Sequence, residues 1–85
     1  MKFKVIASER ALKDLKKLDK IDRERIYETL EKLEEPFKLD IKKLKDNIYR
    51  VRVGRLFRII IEIDFENQIV WVAKIDKRER VYDRL

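Results

Sequence analysis

Apolar and basic residues alternate along one stretch of the chain, from Tyr49 to Arg58. The sequence there reads Tyr-Arg-Val-Arg-Val-Gly-Arg-Leu-Phe-Arg. A period of two is the period of a β-strand, in which successive side chains point to opposite faces of a sheet. The apolar side chains should therefore share one face and the arginines the other, with Gly54 near the point where the chain reverses. Arginines collected on one face repel one another, so we interpret that face as a surface that meets phosphate.

The length of the loop at Gly54 decides which side chains are buried, because a shift of one residue turns every side chain of a strand to the other face. A two-residue turn would place Arg52 opposite Phe57 and force charge into the core. A loop of odd length instead places Val53 opposite Phe57, and Arg52 opposite Arg58. We therefore predict the odd loop, although Gly-X is a common signal for a tight turn.

The same argument predicts the register of the following hairpin. Pairing Ile63 with Ile69 and Ile61 with Trp71 keeps one face of both strands apolar. This register makes Trp71 a core residue and brings a lysine of the last strand beside the arginine of the strand before it. The polar face would then carry a row of three cations across three strands, namely Arg52, Arg58 and Lys74.

Two amphipathic helices precede these strands. Ser8 can cap the first helix, and Asp19 or Asp22 can open the second. Pro36 should end the second helix, because proline disfavours helical geometry at the residue before it. The residues predicted to face the core are Ala11, Leu12, Leu15 and Leu18 in the first helix, and Ile26, Tyr27, Leu30 and Leu33 in the second.

A short N-terminal strand is indicated by Phe3 and Val5, which alternate with lysines. The chain has 85 residues, which is enough for one small domain with a single core. We predict a single α+β domain over residues 1–85. It should consist of an N-terminal strand, an αα-hairpin and a three-stranded antiparallel meander, with the helices packed on one face of a roughly four-stranded sheet.

The composition excludes several kinds of protein. The chain has no histidine and no cysteine, so we expect neither a disulfide framework nor a metal site, and we predict no cofactor. No apolar run approaches the ~20 residues needed to span a bilayer, and no signal peptide is recognisable. We therefore predict a cytoplasmic protein without a membrane partner.

The net charge of +6 is concentrated in one part of the chain. Between Ile41 and Arg58 there are seven basic residues and one acid, Asp46, and the rest of the chain is balanced. Phosphate binding needs such local charge density, so the patch favours a nucleic-acid partner over a merely solvated lysine-rich loop. The basic residues of the patch are Lys42, Lys43, Lys45, Arg50, Arg52, Arg55 and Arg58.

Two motifs are similar to the RelE toxins of toxin–antitoxin modules. The first is Tyr-Arg-Val-Arg-Val-Gly followed by Phe-Arg-Ile-Ile-Ile-Glu-Ile, and the second is Lys-Arg-Glu-Arg-Val-Tyr at residues 77–82. The order of strand, two helices and three strands agrees with this resemblance, which covers nearly the whole chain. It implies an endoribonuclease that cuts mRNA on the ribosome by attack of a ribose 2′-OH on the adjacent phosphate. It also implies a RelB-like antitoxin protein as partner.

The resemblance implies roles for individual residues. Arg58 would hold the scissile phosphate and stabilise its growing charge, and Arg78 would do the same or face the leaving 5′-oxygen. Tyr82 would stack on a base, although it could instead pack the C-terminal segment onto the sheet. The candidate catalytic residues are Arg52, Arg58, Arg78 and Tyr82. The candidate RNA-binding residues are Arg50, Lys42, Lys43, Lys45, Lys74 and Lys77.

One departure from the family concerns the general base. Relatives often have lysine at the positions of Arg50 and Arg52, and a lysine crowded by cations can act as a base, whereas an arginine is a very poor one. The base could then be a lysine, a glutamate or part of the ribosome. Lys74 is attractive because its predicted neighbours are cations. The candidates in the chain are Lys74, Lys77, Glu62 and Glu79.

Two other functions are compatible with the same fold. A ParE-like toxin would inhibit DNA gyrase by binding and would cut nothing. A non-catalytic RNA- or ribosome-binding module would use the basic face for docking alone, and the missing histidine keeps this alternative open. The combination of Arg58, Arg78 and Tyr82 favours the nuclease, because a protein that only binds has no reason to assemble all three.

Overall fold

The chain folds as a five-stranded sheet with two helices on one face. The computed structural model describes residues 2–77. The strands and helices are β1 (Lys4–Ala7), α1 (Glu9–Lys16), α2 (Lys20–Lys32), β2 (Ile41–Lys45), β3 (Ile48–Val53), β4 (Phe57–Asp64) and β5 (Ile69–Lys77), with a 3-10 turn at Pro36–Lys38 between α2 and β2. The strand order is β1-β5-β4-β3-β2. No helix among these residues is long and apolar enough to cross a membrane.

This architecture confirms the predicted α+β class, the αα-hairpin and the antiparallel meander, and it adds two features. The first is β2, a fifth strand that pairs antiparallel with β3. Its lysines interrupt the alternation of apolar and polar residues by which a strand is recognised in a sequence. Lysines are typical of an edge strand because they discourage pairing with other chains. The second is the direction of β1, which is parallel to β5.

The helix starts follow the sequence signals. The Ser8 Oγ accepts a hydrogen bond from the Ala11 N–H at 3.0 Å. The Asp19 Oδ1 accepts one from the Asp22 N–H at 2.9 Å, so Asp19 and not Asp22 is the cap of α2. α2 ends at Lys32, and Pro36 begins the 3-10 turn instead of ending the helix directly. Each cap satisfies a backbone donor that the first turn of a helix leaves without a partner.

The core lies between the helices and one face of the sheet, which we call the helix face. Two predictions about the helices were wrong: Leu12 and Tyr27 are 47% and 50% exposed. We call the other side of the sheet the open face. The buried apolar residues are Ala11, Leu15, Ile26, Leu33, Val51, Val53, Phe57, Ile59, Ile61, Ile63, Val70, Val72 and Ile75.

The register of the first hairpin is as predicted. Val53 pairs with Phe57, and Arg52 pairs with Arg58, across a three-residue loop. Gly54 has a φ of +60°, a left-handed conformation that favours glycine. Val53 and Phe57 are both buried, so the burial of apolar side chains correctly excluded the two-residue turn.

The register of the second hairpin differs from the prediction by one residue. Ile63 pairs with Val70, and Glu62 pairs with Trp71, so Trp71 lies on the open face with 43% of its surface exposed. The turn sets this register. The Asp64 Oδ1 accepts a hydrogen bond from the Asn67 N–H at 2.9 Å, and the turn closes with Asp64 opposite Ile69.

An extra residue in β5 reverses the effect of this shift further along the strand. The ladder between β4 and β5 is irregular between Ile60 and Ile61, where Ala73 has no partner in the register. Such a β-bulge turns the side chains that follow it to the opposite faces. As a result Lys74 lies on the open face, as predicted, and Ile75 is buried in the core.

Candidate functional site

Four cations and one carboxylate lie together on the open face, near the end of the sheet that carries the Gly54 loop. We call these residues the charged cluster. Arg52 lies directly opposite Arg58 on the next strand, and Arg58 lies directly opposite Asp76. The predicted row of three cations was therefore wrong in its third member, because the register places Lys74 opposite Ile60. The members of the cluster are Arg50, Arg52, Arg58, Lys74 and Asp76.

Asp76 is the member that the sequence reasoning missed. Its Oδ2 lies 3.7 Å from the Arg58 Nε and 3.5 Å from the Lys74 Nζ. A strong charge-assisted hydrogen bond measures ~2.7–2.9 Å, so both contacts are looser ion pairs. Lys74 thus lies beside a carboxylate and not only beside cations, which removes the reason for choosing Lys74 as the base.

Arg52 and Arg58 form the most strongly cationic part of the cluster. Their Cα atoms pair directly across β3 and β4, an arrangement in which like charges repel. Both residues are exposed, and within residues 2–77 Arg52 forms no salt bridge. Two exposed guanidinium groups side by side can bind one phosphate or two successive phosphates of an extended strand.

Arg50 is more deeply buried than Arg52 and Arg58, the other two arginines of the charged cluster. Only 15% of its side chain is exposed, and its Nη1 is buried without a hydrogen-bond partner in the described part of the chain. The Asp40 Oδ1 lies 3.7 Å from that nitrogen, beyond hydrogen-bonding distance. A buried donor left without a partner costs about 1–3 kcal/mol. The loose ion pair with Asp40 offsets part of that cost.

Helix α1 holds the β5 bulge that turns Lys74 and Asp76 to the open face. β1 pairs with β5 only as far as Val72, and side chains of α1 and its cap bind β5 beyond that point. The Ser8 Oγ donates to the Ala73 carbonyl at 2.7 Å. The Asp14 Oδ2 accepts from the Ile75 N–H at 3.0 Å. Arg10 in turn donates to the Asp14 carboxylate at 3.1 Å, so the bulge is fixed from the helix face.

The predicted RNA-binding lysines do not all lie on one surface. Lys42 pairs with Arg50, which adds it to the open face beside the cluster, and Lys45 pairs with Ile48 further along. Lys43 pairs with Tyr49, on the opposite side of the strand. Lys77 lies on the helix face, where its Nζ is 6.0 Å from the centre of the Phe57 ring.

The remaining predicted residues lie elsewhere. Arg78, Glu79 and Tyr82 fall outside the described residues, and Lys77 is the last residue of β5. Glu62 lies opposite Trp71 and is four residues from Arg58 along β4, about 13 Å at the rise of a strand. Glu62 is thus outside the charged cluster. Within residues 2–77 no group of acidic residues could hold a metal ion.

Comparison with known proteins identifies the class. Residues 5–82 match the model of a family described as the ParE toxin of a type II toxin–antitoxin system. A protein of Methanocaldococcus jannaschii named "Putative toxin RelE1" is 40% identical over 96% of this chain and 97% of its own length. The chain therefore belongs to the ParE toxin family of type II toxin–antitoxin systems and is a RelE-type toxin.

Solved structures of RelE proteins share this fold. The RelE–RelB complex of Pyrococcus horikoshii matches with a TM-score of 0.81 and 28% identity, over 94% of this chain and 99% of that one. The RelBE2 complex of Mycobacterium tuberculosis matches with a TM-score of 0.81 and 25% identity, over 92% and 100%. The RelBE complex of E. coli matches with a TM-score of 0.75 and 25% identity, over 92% and 99%.

Proposed function

We propose that this toxin is a ribosome-dependent endoribonuclease that cuts mRNA in the cytoplasm. The observation that carries the proposal is the exposed pair of Arg52 and Arg58, directly opposite each other on the open face. A sheet face is flat enough to receive an extended single strand, and adjacent guanidinium groups suit its phosphates. The resemblance to RelE toxins supplies the ribosome and mRNA as the setting.

Arg58 is the residue that we assign to the scissile phosphate. The 2′-oxygen attacks the phosphorus, the bond from phosphorus to the 5′-oxygen breaks, and the products are a 2′,3′-cyclic phosphate and a 5′-OH. Negative charge grows on the phosphate oxygens along this path, and a fixed guanidinium stabilises it. With an Nε–Oδ2 distance of 3.7 Å, Asp76 does not form a short hydrogen bond that would occupy the guanidinium.

Supporting residues extend the site on both sides. Arg52 and Arg50 would hold flanking phosphates. By the resemblance, Arg78 would share the stabilisation of charge and Tyr82 would stack on a base. No histidine is present in the chain to serve as acid or base.

The proposed inhibitor is a RelB-like antitoxin. The solved relatives from P. horikoshii, M. tuberculosis and E. coli are complexes of a RelE protein with its antitoxin. A partner for the charged cluster should present carboxylates, and salt should slow its association. It should also bury apolar surface, which the open face offers at Trp71, 43% exposed.

A cleavage assay on ribosomes tests the activity. Purified ribosomes from the toxin's own organism are programmed with a defined mRNA, and cleavage is mapped by primer extension. We expect cleavage by the wild type and a loss of about 100-fold or more with Arg58→Ala. Lys20→Ala removes one exposed cation from α2, away from the open face, and serves as the control, with an expected rate near that of the wild type.

A gyrase supercoiling assay run in parallel tests the second candidate. The description of the matching family as ParE favours gyrase as an alternative target. Inhibition of supercoiling without any cleavage of mRNA would replace the proposed function with this one. Ribosome binding with neither effect would indicate a non-catalytic module.

Expression in cells tests the antitoxin. The chain expressed alone should arrest growth, and co-expression of the neighbouring open reading frame should relieve the arrest. A chain that is harmless to a host whose ribosomes it binds would contradict the proposal.

A further inference from the structure

The geometry points to Asp76 as the general base that removes the proton from the attacking ribose 2′-OH. This inference rests on the proposed function and assigns the step for which the chain has no histidine. It also differs from every candidate that the sequence suggested, since Asp76 comes to lie directly opposite Arg58 only through the shifted register of the second hairpin and the β5 bulge.

The position of Asp76 relative to Arg58 is the first argument. The two residues are paired directly across β4 and β5, and the Asp76 Oδ2 lies 3.7 Å from the Arg58 Nε. In a reactive arrangement the attacking oxygen is ~3–3.5 Å from the phosphorus. A guanidinium that holds the scissile phosphate therefore has the 2′-oxygen as a near neighbour, on the same open face as the carboxylate.

The second argument is that the Asp76 carboxylate is only loosely paired and is accessible to RNA. Its contacts with Arg58 and Lys74, at 3.7 and 3.5 Å, are longer than strong hydrogen bonds and leave its oxygens able to accept a proton. One quarter of the side chain is exposed, so RNA can reach it. Carboxylates are ionised at neutral pH, which is the form that a base requires.

The other groups near this position are less suited to the task. Arg58 from β4 and Lys74 from β5 face Asp76, and Arg52 lies one strand further away. Arginine is a very poor base, and the Lys74 amine lies against the Asp76 carboxylate. α1 packs on the helix face, where its carboxylate at Asp14 accepts a hydrogen bond from the Ile75 N–H.

The Asp76 carboxylate takes the proton of the 2′-OH while the 2′-oxygen forms its bond to phosphorus. The bond between phosphorus and the 5′-oxygen breaks, its electron pair stays on that oxygen, and water supplies the proton that makes the 5′-OH. The proton on Asp76 then returns to solvent, which regenerates the base.

The dependence of single-turnover cleavage on pH tests this role on programmed ribosomes. For the wild type we expect a flat rate between about pH 6 and 9, because a carboxylate base is already ionised there. Asp76→Asn should be slower by about 100- to 10,000-fold, the usual contribution of a positioned base. Its residual rate should rise with pH, because hydroxide must then replace the missing base. Asp76→Glu should recover part of the rate.

Four further measurements separate the base from a structural role. Thermal unfolding should show that Asp76→Asn is folded, and its affinity for a 2′-O-methylated RNA should equal or exceed that of the wild type, since a negative charge has been removed. Glu34→Gln breaks an ion pair with Lys2 of similar length, 3.6 Å, outside the cluster and should cleave normally. Lys74→Met should keep the flat profile.

Several results would overturn the inference. Asp76→Asn with the wild-type rate would exclude the base, and a slow Asp76→Asn with a flat profile would make Asp76 a positioning residue for Arg58. A wild-type rate that rises steadily to about pH 10 would point to an amine base. A wild type that cleaves nothing would remove the proposed function itself, and this inference with it.

Discussion

Phe57 and Arg58 are neighbours in β4, but their side chains lie on opposite faces of the sheet and under different constraints. Phe57 is 1% exposed and belongs to the hydrophobic core, so its size and shape decide whether the core is filled. Arg58 is exposed and lies between another arginine and a carboxylate. The helix face therefore carries the stability of this small domain, and the open face can keep a repulsive arrangement of charges that serves binding.

The largest effect should come from the helix face. Phe57→Ala removes a fully buried ring and should lower the free energy of unfolding by about 3–5 kcal/mol. Chemical denaturation measures this change, with Phe57→Leu as the milder control. A loss below about 1 kcal/mol would show that the helix face tolerates cavities. It would contradict the claim that the helix face carries the stability of the domain.

Arg58→Ala, in contrast to Phe57→Ala, should lower the cleavage rate and leave the stability nearly unchanged. Its cleavage rate should fall by at least ~100-fold, because one group that stabilises developing charge is lost. Its free energy of unfolding should change little, since an exposed ion pair contributes about 0–1 kcal/mol and a repulsive neighbour is relieved. A folded variant that cleaves at the wild-type rate would contradict the assignment of the open face.

Asp14→Ala should lower both the stability that the helix face provides and the activity of the open face. The change leaves the Ile75 N–H without its acceptor and should cost about 1–3 kcal/mol of stability. It should also slow cleavage, because the bulge that orients Lys74 and Asp76 loses its support from α1. Unfolding and cleavage are measured on the same preparation, with Glu24→Ala on α2 as control. Normal cleavage by a destabilised Asp14→Ala would show that the bulge does not need the helix.

The smallest effect concerns the turn of the second hairpin. The backbone and side-chain hydrogen bonds from Asn67 lower the pKa of Asp64 below its usual value of 3.8. A lowered pKa stabilises the folded state above the unfolded value, and that contribution is lost as the pH falls through the folded value. Thermal unfolding at pH 2–6 should therefore show Asp64→Ala less stable than the wild type near pH 6, with the difference shrinking below about pH 3.8. A constant difference would mean that the charge of Asp64 is irrelevant.

The two hairpins also show how much of the site could be predicted from the sequence. In the first, a two-residue turn would bury arginine, so the hydrophobic pattern alone favoured the odd loop that pairs Arg52 with Arg58. In the second, two registers keep the buried face of β5 apolar. One register buries Trp71, and the other buries Val70 and Val72. The hydrogen bonds of the Asp64 turn decide between them, and they depend on geometry that a hydrophobic pattern does not contain.

The members of the charged cluster also differ in whether the sequence alone predicts their positions. Arg58 and Arg52 were found because their strands alternate regularly. Asp76 was missed because its place opposite Arg58 depends on the β5 bulge at Ala73, which is held by Ser8 and Asp14 from a distant part of the sequence. Long-range contacts of this kind leave no local signal.

Mapping RNA contacts by NMR tests most directly whether the charged cluster binds the RNA. The labelled protein is titrated with a short 2′-O-methylated RNA, which cannot be cut, at low and at raised salt. We expect the amide signals that shift to be those of the β3, β4 and β5 segments around Arg52, Arg58 and Asp76, and the shifts to weaken as salt screens the phosphates. Shifts confined to α1 and α2, or shifts that salt does not weaken, would contradict the account.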